Sequence, residues 1–173
     1  MQRLAPELLT KTAFAPFGDV VEIDGATPIE INQGFARRFN SLANIDVSAN
    51  GAPVNISLFE ARPRPQPIEI KLMERHPLGS QLFMPLQDRP WLVVVCADPH
   101  DCASYRAFTA TGRQGINYGC NVWHHPLLIL GQDLGQDLGQ DLGDGERFMV
   151  VDRVGQDNLE EVWLDQPLSL VVP

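Results

Sequence analysis

Three of the four histidines of this chain lie in two short segments that also contain carboxylate, amide and phenol groups. The first segment is Glu74–Pro85, with the sequence ERHPLGSQLFMP, and the second is Gly115–Pro126, with the sequence GINYGCNVWHHP. Histidine titrates near neutral pH and is a common metal ligand, and a nearby carboxylate favours its charged form. The two segments therefore have the residue types for proton transfer or metal binding, provided that they face each other in the fold.

The stretch IEIKLMERH, residues 68–76, has the pattern of a β-strand that ends at a functional site. Side chains alternate between the two faces of a strand. One face is predicted to contain Ile68, Ile70, Leu72, Glu74 and His76, and the other Glu69, Lys71, Met73 and Arg75. The first face begins apolar and ends in a carboxylate and an imidazole. We expect this gradient in a barrel strand whose base lies in the core and whose other end lies at the mouth.

The second segment is predicted to direct only one of its two adjacent histidines into the barrel. Alternation along Asn121–Leu130 puts His124 and His125 on opposite faces. We expect His124 to face the interior together with His76. The same rule turns Gln81 inward on the strand that follows His76.

The remaining sequence predicts a single all-β domain, residues 1–173. The length of 173 residues suits one domain, and 44% hydrophobic residues are enough for one core. Fourteen glycines and fourteen prolines, scattered in short clusters, predict many turns. About ten short apolar or alternating segments follow a minor helix capped by Thr10, and such a series is typical of a β-sandwich or barrel.

Two stretches lack a clear strand pattern. Residues 32–42 fit either a strand or a loop. Gly131–Gly145 contains three copies of the tetrapeptide GQDL and a degenerate fourth copy. Glycine in every unit disfavours a helix, and a period of four does not match strand alternation. We predict that 131–145 is a low-complexity surface loop inserted into the domain.

Charge and cysteine content exclude several classes of partner. The net charge of −9 and the pI of about 4.7 argue against binding to nucleic acid or to an anionic membrane surface. No apolar run approaches the length of a membrane-spanning helix. Three cysteines without a CxxC spacing suggest reduced thiols in a cytoplasmic protein. A small-molecule substrate is the partner that these observations favour.

Three blocks of this sequence resemble the ureidoglycolate lyase family, bacterial enzymes of allantoin degradation with a cupin fold. The blocks are FAPFGDVVE (14–22), ERHPLGSQLFMPL (74–86) and QGINYGCNVWHHPL (114–127). The resemblance implies a cupin-like β-barrel or jelly roll of short strands with one or two minor helices. It also implies a cytoplasmic homodimer that cleaves (S)-ureidoglycolate to glyoxylate and urea in purine catabolism.

The wider cupin pattern implies a set of candidate metal ligands. His76, Gln81 and His124 match the later ligand positions of that pattern, and Glu74 takes the place of its first histidine. Such a set could hold a divalent ion such as nickel, zinc or manganese, since imidazole and oxygen ligands suit these ions. A metal-free site in which His76 and Glu74 move protons is the alternative.

The resemblance also suggests roles in catalysis. His124, or a metal-bound species, would be the base, and His76 paired with Glu74 would relay protons. The groups expected to bind substrate are Gln81 and Asn117 at the ureido amide, and Arg38 or Tyr118 at the carboxylate. Alternative functions are a cupin module that binds a ligand without catalysis, and a metal-dependent cupin dioxygenase or isomerase.

Overall fold

The computed structural model describes residues 2–130, 145–155 and 157–171. These residues are mostly β-strands, with one α-helix, Lys11–Phe14, and three short 3-10 turns, Asn32–Gly34, Ala49–Gly51 and Cys102–Ser104. Thr10 caps the helix, as predicted, by accepting a hydrogen bond from the Ala13 amide at 3.1 Å. The predicted loop 131–145 lies outside the described residues except for Gly145.

The strands of the described part of the chain form two large sheets and one hairpin. In chain order they are β1 (Arg3–Leu4), β2 (Glu7–Leu8), β3 (Gly18–Val21), β4 (Ile29–Ile31), β5 (Ala36–Arg38), β6 (Val54–Ala61), β7 (Ile68–Arg75), β8 (Gln81–Pro85), β9 (Trp91–Cys96), β10 (Tyr105–Ala110), β11 (Gly115–Tyr118), β12 (Trp123–His124), β13 (Leu128–Ile129), β14 (Glu146–Arg153) and β15 (Glu160–Leu170). The first sheet has the order β1-β15-β7-β12-β9-β10-β2, with β13 also paired to β9. The second sheet has the order β3-β11-β8-β14-β6, and β4 and β5 form the hairpin.

The main core lies between the two sheets. Its buried side chains include Val93 and Phe108 of the first sheet and Phe83, Ile116 and Phe148 of the second. A second buried cluster covers the other face of the first sheet and includes alternate residues of β9. The predicted all-β barrel of short strands with a minor helix is therefore confirmed.

Two sequence-based boundaries differ from the structure. Asn121–Leu130, predicted as one strand, contains β12 and β13 with Pro126 between them, and proline has no amide hydrogen to donate to a sheet. The apolar segments 161–165 and 168–170, which the sequence pattern predicts as two separate short strands, form one irregular strand, β15. Residues 32–42, which fitted either a strand or a loop, contribute β5 to the hairpin.

The predicted alternation along β7 is wrong in its first half. Ile68 and Ile70 pack in the same buried cluster as Met73, which was expected on the opposite face. The reason is a break in register with β15. Leu72 pairs with Trp163 and Ile70 pairs with Leu168, so Lys71 lies opposite four residues of β15. Such a bulge interrupts the alternation, and only the end of β7 keeps the predicted face.

Glu146, at the start of β14, is a buried carboxylate at 1% exposure. Its Oε2 accepts a long hydrogen bond of 3.4 Å from Gln87, and its Oε1 has no partner in the described structure. Burial raises the pKa of Glu146 above its ordinary value, against an opposing effect of the nearby Arg89. Such a carboxyl group stabilises the fold below its unfolded-state pKa, and that stabilisation is lost as the pH rises through the higher folded-state pKa.

We therefore expect Glu146→Gln to raise the melting temperature at pH 8, by about 2–4 °C for each kcal/mol gained. The gain should shrink as the pH falls towards 4, where the carboxyl group of the wild type is protonated. The control is Glu60→Gln, which removes an exposed carboxylate paired with Arg147 at 3.1 Å and should change little. Thermal denaturation from pH 4 to 8 measures both, and equal curves for Glu146→Gln and the wild type would contradict the prediction.

Candidate active site

Glu74, His76 and His124 form a cluster at one end of the barrel. The ligand atoms of these three side chains all lie within 4.8 Å of one another. The ring centroids of His76 and His124 are 5.4 Å apart. The prediction that these two histidines face each other is confirmed.

The pairing of β12 directs His124 into the barrel. His124 lies opposite Glu74 of β7 on one side and opposite Val95 of β9 on the other. Paired residues of neighbouring strands project to the same face, and Val95 belongs to the main core. His125 is also buried but lies outside the cluster, with its Nδ1 bonded to the Pro126 carbonyl at 2.7 Å.

Backbone carbonyls fix which nitrogen of each ring faces the cluster. Nδ1 of His76 lies 2.6 Å from the Asn158 carbonyl oxygen, and Nδ1 of His124 lies 2.9 Å from that of Val122. A carbonyl only accepts, so each Nδ1 carries the hydrogen and each neutral ring keeps a lone pair on Nε2. Both Nε2 atoms are buried without a hydrogen-bond partner in the described structure. The cluster thus presents two Nε2 atoms to a ligand, and that of His124 also lies 3.5 Å from the Glu74 carboxylate.

The carboxylate of Glu74 pairs with His124 and not with His76, which corrects the expected His76–Glu74 pair. Its Oε1 lies 3.5 Å from Nε2 of His124, because the two residues are cross-strand neighbours. Burial raises the pKa of Glu74, but the nearby histidines, chiefly His124, outweigh it and lower the pKa overall. Burial and the charge of His124 lower the pKa of His76. These shifts favour an ionised Glu74 beside a neutral His76.

Tyr118 and Gln81 reach the same cavity from the second sheet. The Tyr118 ring stacks on His124 with 3.9 Å between centroids and 13° between planes. Burial and the charge of Glu74 raise the pKa of Tyr118 far above its ordinary value, so the phenol stays neutral. Gln81 pairs with Tyr118 across the strands and therefore shares its face. Its buried Oε1 has no partner in the described structure.

The structure does not bring Asn117 and Arg38 to the cluster. Asn117 alternates with Tyr118 on β11 and donates from Nδ2 to Asp19 at 3.1 Å and to the Asn44 carbonyl at 2.9 Å. Arg38 is exposed in the separate β4–β5 hairpin. Neighbouring residues of a strand cannot share a face, which is why Asn117 and Tyr118 separate.

A group of polar side chains on the opposite wall of the barrel was not predicted from the sequence. Asn55 and Ser57 project inward from β6, and Asp152 projects inward from β14, since Ser57 pairs with the core residue Val150. Asn55 Nδ2 donates to Asp152 Oδ1 at 2.8 Å, and Gln81 Nε2 lies 3.4 Å from Asp152 Oδ2. Alternation within the two strands could have indicated these residues, because Asp152 is two positions from the core residue Val150, and Asn55 and Ser57 share the face of Phe59, which contacts Phe83.

The three-residue cluster fits a divalent metal ion. Two imidazole nitrogens and a carboxylate are suitable ligands for nickel, zinc or manganese. The two unpartnered Nε2 atoms also need a donor or a cation, because a buried polar atom without one is costly. Arg75, which lies between Glu74 and His76 in sequence, does not serve them: it stacks on Trp123 at 4.4 Å and donates to Glu160 at 2.7 Å.

Comparison with known sequences gives one consistent family. A family model described as ureidoglycolate lyase matches residues 1–171. Ureidoglycolate lyase 1 of Rhizobium meliloti (strain 1021) is 48% identical over 172 residues, which cover 98% of this chain and 93% of that protein. Ureidoglycolate lyase of Burkholderia mallei (strain NCTC 10229) is 46% identical and covers 99% of both chains.

Solved structures with a similar fold are more distant. A dTDP sugar isomerase from Desulfovibrio desulfuricans G20 has a TM-score of 0.46 and 16% identity, covering 86% of this chain and 85% of that chain. Oxalate decarboxylase of Bacillus subtilis has a TM-score of 0.41 and 15% identity, covering 69% and 27%. At these low TM-scores we draw no conclusion on function from either structure.

We predict that the purified protein binds one divalent ion per chain at the three-residue cluster. His76→Ala and His124→Ala should each weaken binding by more than the roughly 10–100-fold that is typical of residues outside the ligand shell. The matched control is His100→Ala, which removes an exposed histidine and should leave affinity unchanged. Calorimetric titration of metal-stripped protein with Ni²⁺, Zn²⁺ and Mn²⁺ measures the affinities. Equal binding by all variants would show that the ion lies elsewhere.

Proposed function

The chain belongs to the ureidoglycolate lyase family, and we propose that its barrel mouth cleaves (S)-ureidoglycolate to glyoxylate and intact urea. The relatives support this lyase activity and not the dioxygenase, isomerase or non-catalytic alternatives. The observation that carries the proposal is the cluster of Glu74, His76 and His124, whose ligand atoms lie within 4.8 Å of one another and whose two Nε2 atoms are buried without a hydrogen bond in the described structure. The route to which this reaction belongs is allantoin degradation.

The reaction sets two requirements for the site. Ureidoglycolate carries a carboxylate, a hydroxyl and a ureido nitrogen on one carbon, and the bond from this carbon to nitrogen breaks as the hydroxyl becomes a carbonyl. The substrate carboxylate needs a positive charge or several donors. The ureido group needs acceptors, because its nitrogens carry three hydrogens.

We infer that Glu74, His76 and His124 work by holding a divalent ion. A bound ion would supply the positive charge for the substrate carboxylate and favour loss of the hydroxyl proton. The departing nitrogen gains one proton in exchange, so the cleavage into glyoxylate and urea neither takes up nor releases a proton. Tyr118 would keep the His124 ring in place through their stacking contact. Gln81 would accept a ureido N–H through its unpartnered Oε1 and would not be an ion ligand.

The metal-free alternative uses the same nitrogens differently. Nε2 of the neutral His76 would take the hydroxyl proton, and His124, beside the Glu74 carboxylate, would protonate the departing nitrogen. The two uses exclude each other, because a ring nitrogen bound to an ion cannot carry a proton. The cavity is lined mainly by hydrogen-bond acceptors, and this favours the proposal that the cluster holds a divalent ion.

The proposed activity predicts equal amounts of glyoxylate and urea from ureidoglycolate, without ammonia. Measuring urea, ammonia and glyoxylate together on purified protein tests it, with His100→Ala as the active control and His76→Ala as the inactive variant. Ammonia in place of urea would mean hydrolysis of the amide instead. If metal-stripped protein kept full activity, the metal-free mechanism would replace the proposal that the cluster holds an ion.

We also propose that the protein is a cytoplasmic homodimer. The free cysteines Cys96, Cys102 and Cys120 support a reducing compartment. The structure has no helix, within the residues it describes, that is long and apolar enough to span a membrane.

An apolar surface on the outer face of the second sheet supports the dimer. Ile56 and Leu58 of β6 are 70% and 66% exposed. Their cross-strand neighbours on β14, Val151 and Met149, are apolar and half-buried, and so is Met84 on β8. Leu82, the other neighbour on β8, is already buried at 7% exposure. An exposed apolar face of this kind marks an interface, and two copies that use the same face form a closed twofold dimer.

Leu58→Glu should convert the dimer to a monomer, because it buries a charge without a partner at the proposed interface. The matched control is Leu8→Glu, since Leu8 is 77% exposed on the other sheet and should leave the dimer intact. Analytical ultracentrifugation of both variants and the wild type gives the masses. A monomeric wild type, or a dimer that survives Leu58→Glu, would contradict this interface.

A further inference from the structure

Asp152 is the second carboxylate of the barrel mouth, and neither the relatives nor the cluster of Glu74, His76 and His124 gives it a role. It lies on β14, where it pairs with Asn55 of β6. Val150, two positions earlier on the same strand, is fully buried in the main core. The side chain of Asp152 therefore points into the barrel, on the wall that faces the first sheet.

Neighbouring amides hold the Asp152 carboxylate in place. Asn55 Nδ2 donates to Oδ1 at 2.8 Å, and Gln81 Nε2 lies 3.4 Å from Oδ2. Each carboxylate oxygen has two acceptor positions, so these contacts leave at least one free on each oxygen. An anchored carboxylate with free acceptor positions can bind an N–H donor with little loss of side-chain freedom.

The acceptors on this wall are adjacent to one another. Gln81 donates a hydrogen bond from Nε2 to Asp152, and its Oε1 is buried without a partner in the described structure. Ser57, two positions after Asn55, has a buried hydroxyl that also lacks a partner there. The Ser57 hydroxyl can donate or accept, but Gln81 Oε1 and the Asp152 carboxylate only accept, so a ligand that satisfies them must bring hydrogen-bond donors. A carboxylate end would be repelled by Asp152.

We propose that the Asp152 carboxylate accepts a hydrogen bond from the terminal NH₂ group of the ureido substituent. This contact determines which end of the substrate faces the second sheet. The inference rests on the proposed function. The substrate carboxylate then lies towards Glu74, His76 and His124, and the ureido group lies towards Asp152 and Gln81. Charge-assisted hydrogen bonds are stronger than neutral ones, so Asp152 discriminates against groups without a terminal N–H.

The test uses Asp152→Asn, which keeps the size of the side chain and removes its charge. Asparagine keeps one neutral acceptor oxygen, to which Asn55 already donates, and its NH₂ group replaces the second oxygen, so the charge and half of the acceptor positions are lost. We expect KM for ureidoglycolate to rise about 10–100-fold, the worth of a hydrogen bond to a charged group. The affinity for glyoxylate, which has no ureido group, and the bound metal content should stay within about twofold, since neither depends on this contact.

A substrate analogue isolates the contact itself. In ureidoglycolate dimethylated on its terminal nitrogen, no N–H remains for Asp152. We define the preference as kcat/KM for ureidoglycolate divided by kcat/KM for this analogue. The preference of the wild type should be at least about tenfold larger than that of Asp152→Asn. Steric rejection is common to both proteins and cancels in the ratio of the two preferences.

Asp88→Asn is the matched control, because it neutralises an exposed carboxylate paired with Arg113 at 2.8 Å. It should leave KM and the preference unchanged. If Asp152→Asn does not fold, Asn55→Leu keeps the test open, since it removes the anchor of the carboxylate and should reduce the preference in part.

Three outcomes separate the claims. Equal rejection of the analogue by wild type and Asp152→Asn overturns the inference while the lyase activity stands. Loss of glyoxylate affinity or of metal together with turnover also overturns it, because Asp152 would then support the whole site. A wild type without turnover of ureidoglycolate defeats the proposed function, and the inference falls with it.

Discussion

The pairing of a two-residue strand, β12, holds the candidate site together. His124 lies between Glu74 of β7 and Val95 of β9, so its position depends on the register of both pairs. A slip of one residue would turn His124 out and Trp123 in, because strand side chains alternate. The contacts of His124 with Glu74, His76 and Tyr118 all depend on this register.

A shortage of donors gives the cavity its chemical character. Nδ1 of His76 donates its hydrogen to the backbone carbonyl of Asn158, and Nδ1 of His124 donates to that of Val122. What remains for a ligand is mostly acceptors: the imidazole lone pairs, the carboxylates of Glu74 and Asp152 and the Gln81 oxygen, with the hydroxyl groups of Tyr118 and Ser57 as the donors. This lining favours cations and N–H groups, which agrees with an ion near the histidines and a ureido group on the opposite wall.

The two walls of the mouth have different origins in the fold. The end of β7 and β12 belong to the first sheet, and β6, β8 and β14 belong to the second. A substrate that spans the mouth therefore touches both sheets. The outer face of the second sheet is apolar near the same strands, so a partner bound there would also support the strands that carry Asp152 and Gln81.

The all-β fold and the inward faces of His76, Gln81 and His124 could be predicted from the sequence. They depend on composition and on alternation, which are local properties of each strand. The contacts that these residues make could not be predicted, because they arise when distant strands pair. The tertiary structure paired Glu74 with His124, brought the Asn158 carbonyl to His76 and set Asp152 across the cavity. These contacts join residues about 50 to 80 positions apart, and the bulge at Lys71 depends on the pairing of β7 with β15. Local patterns carry no information on which distant strand becomes a neighbour or on its register.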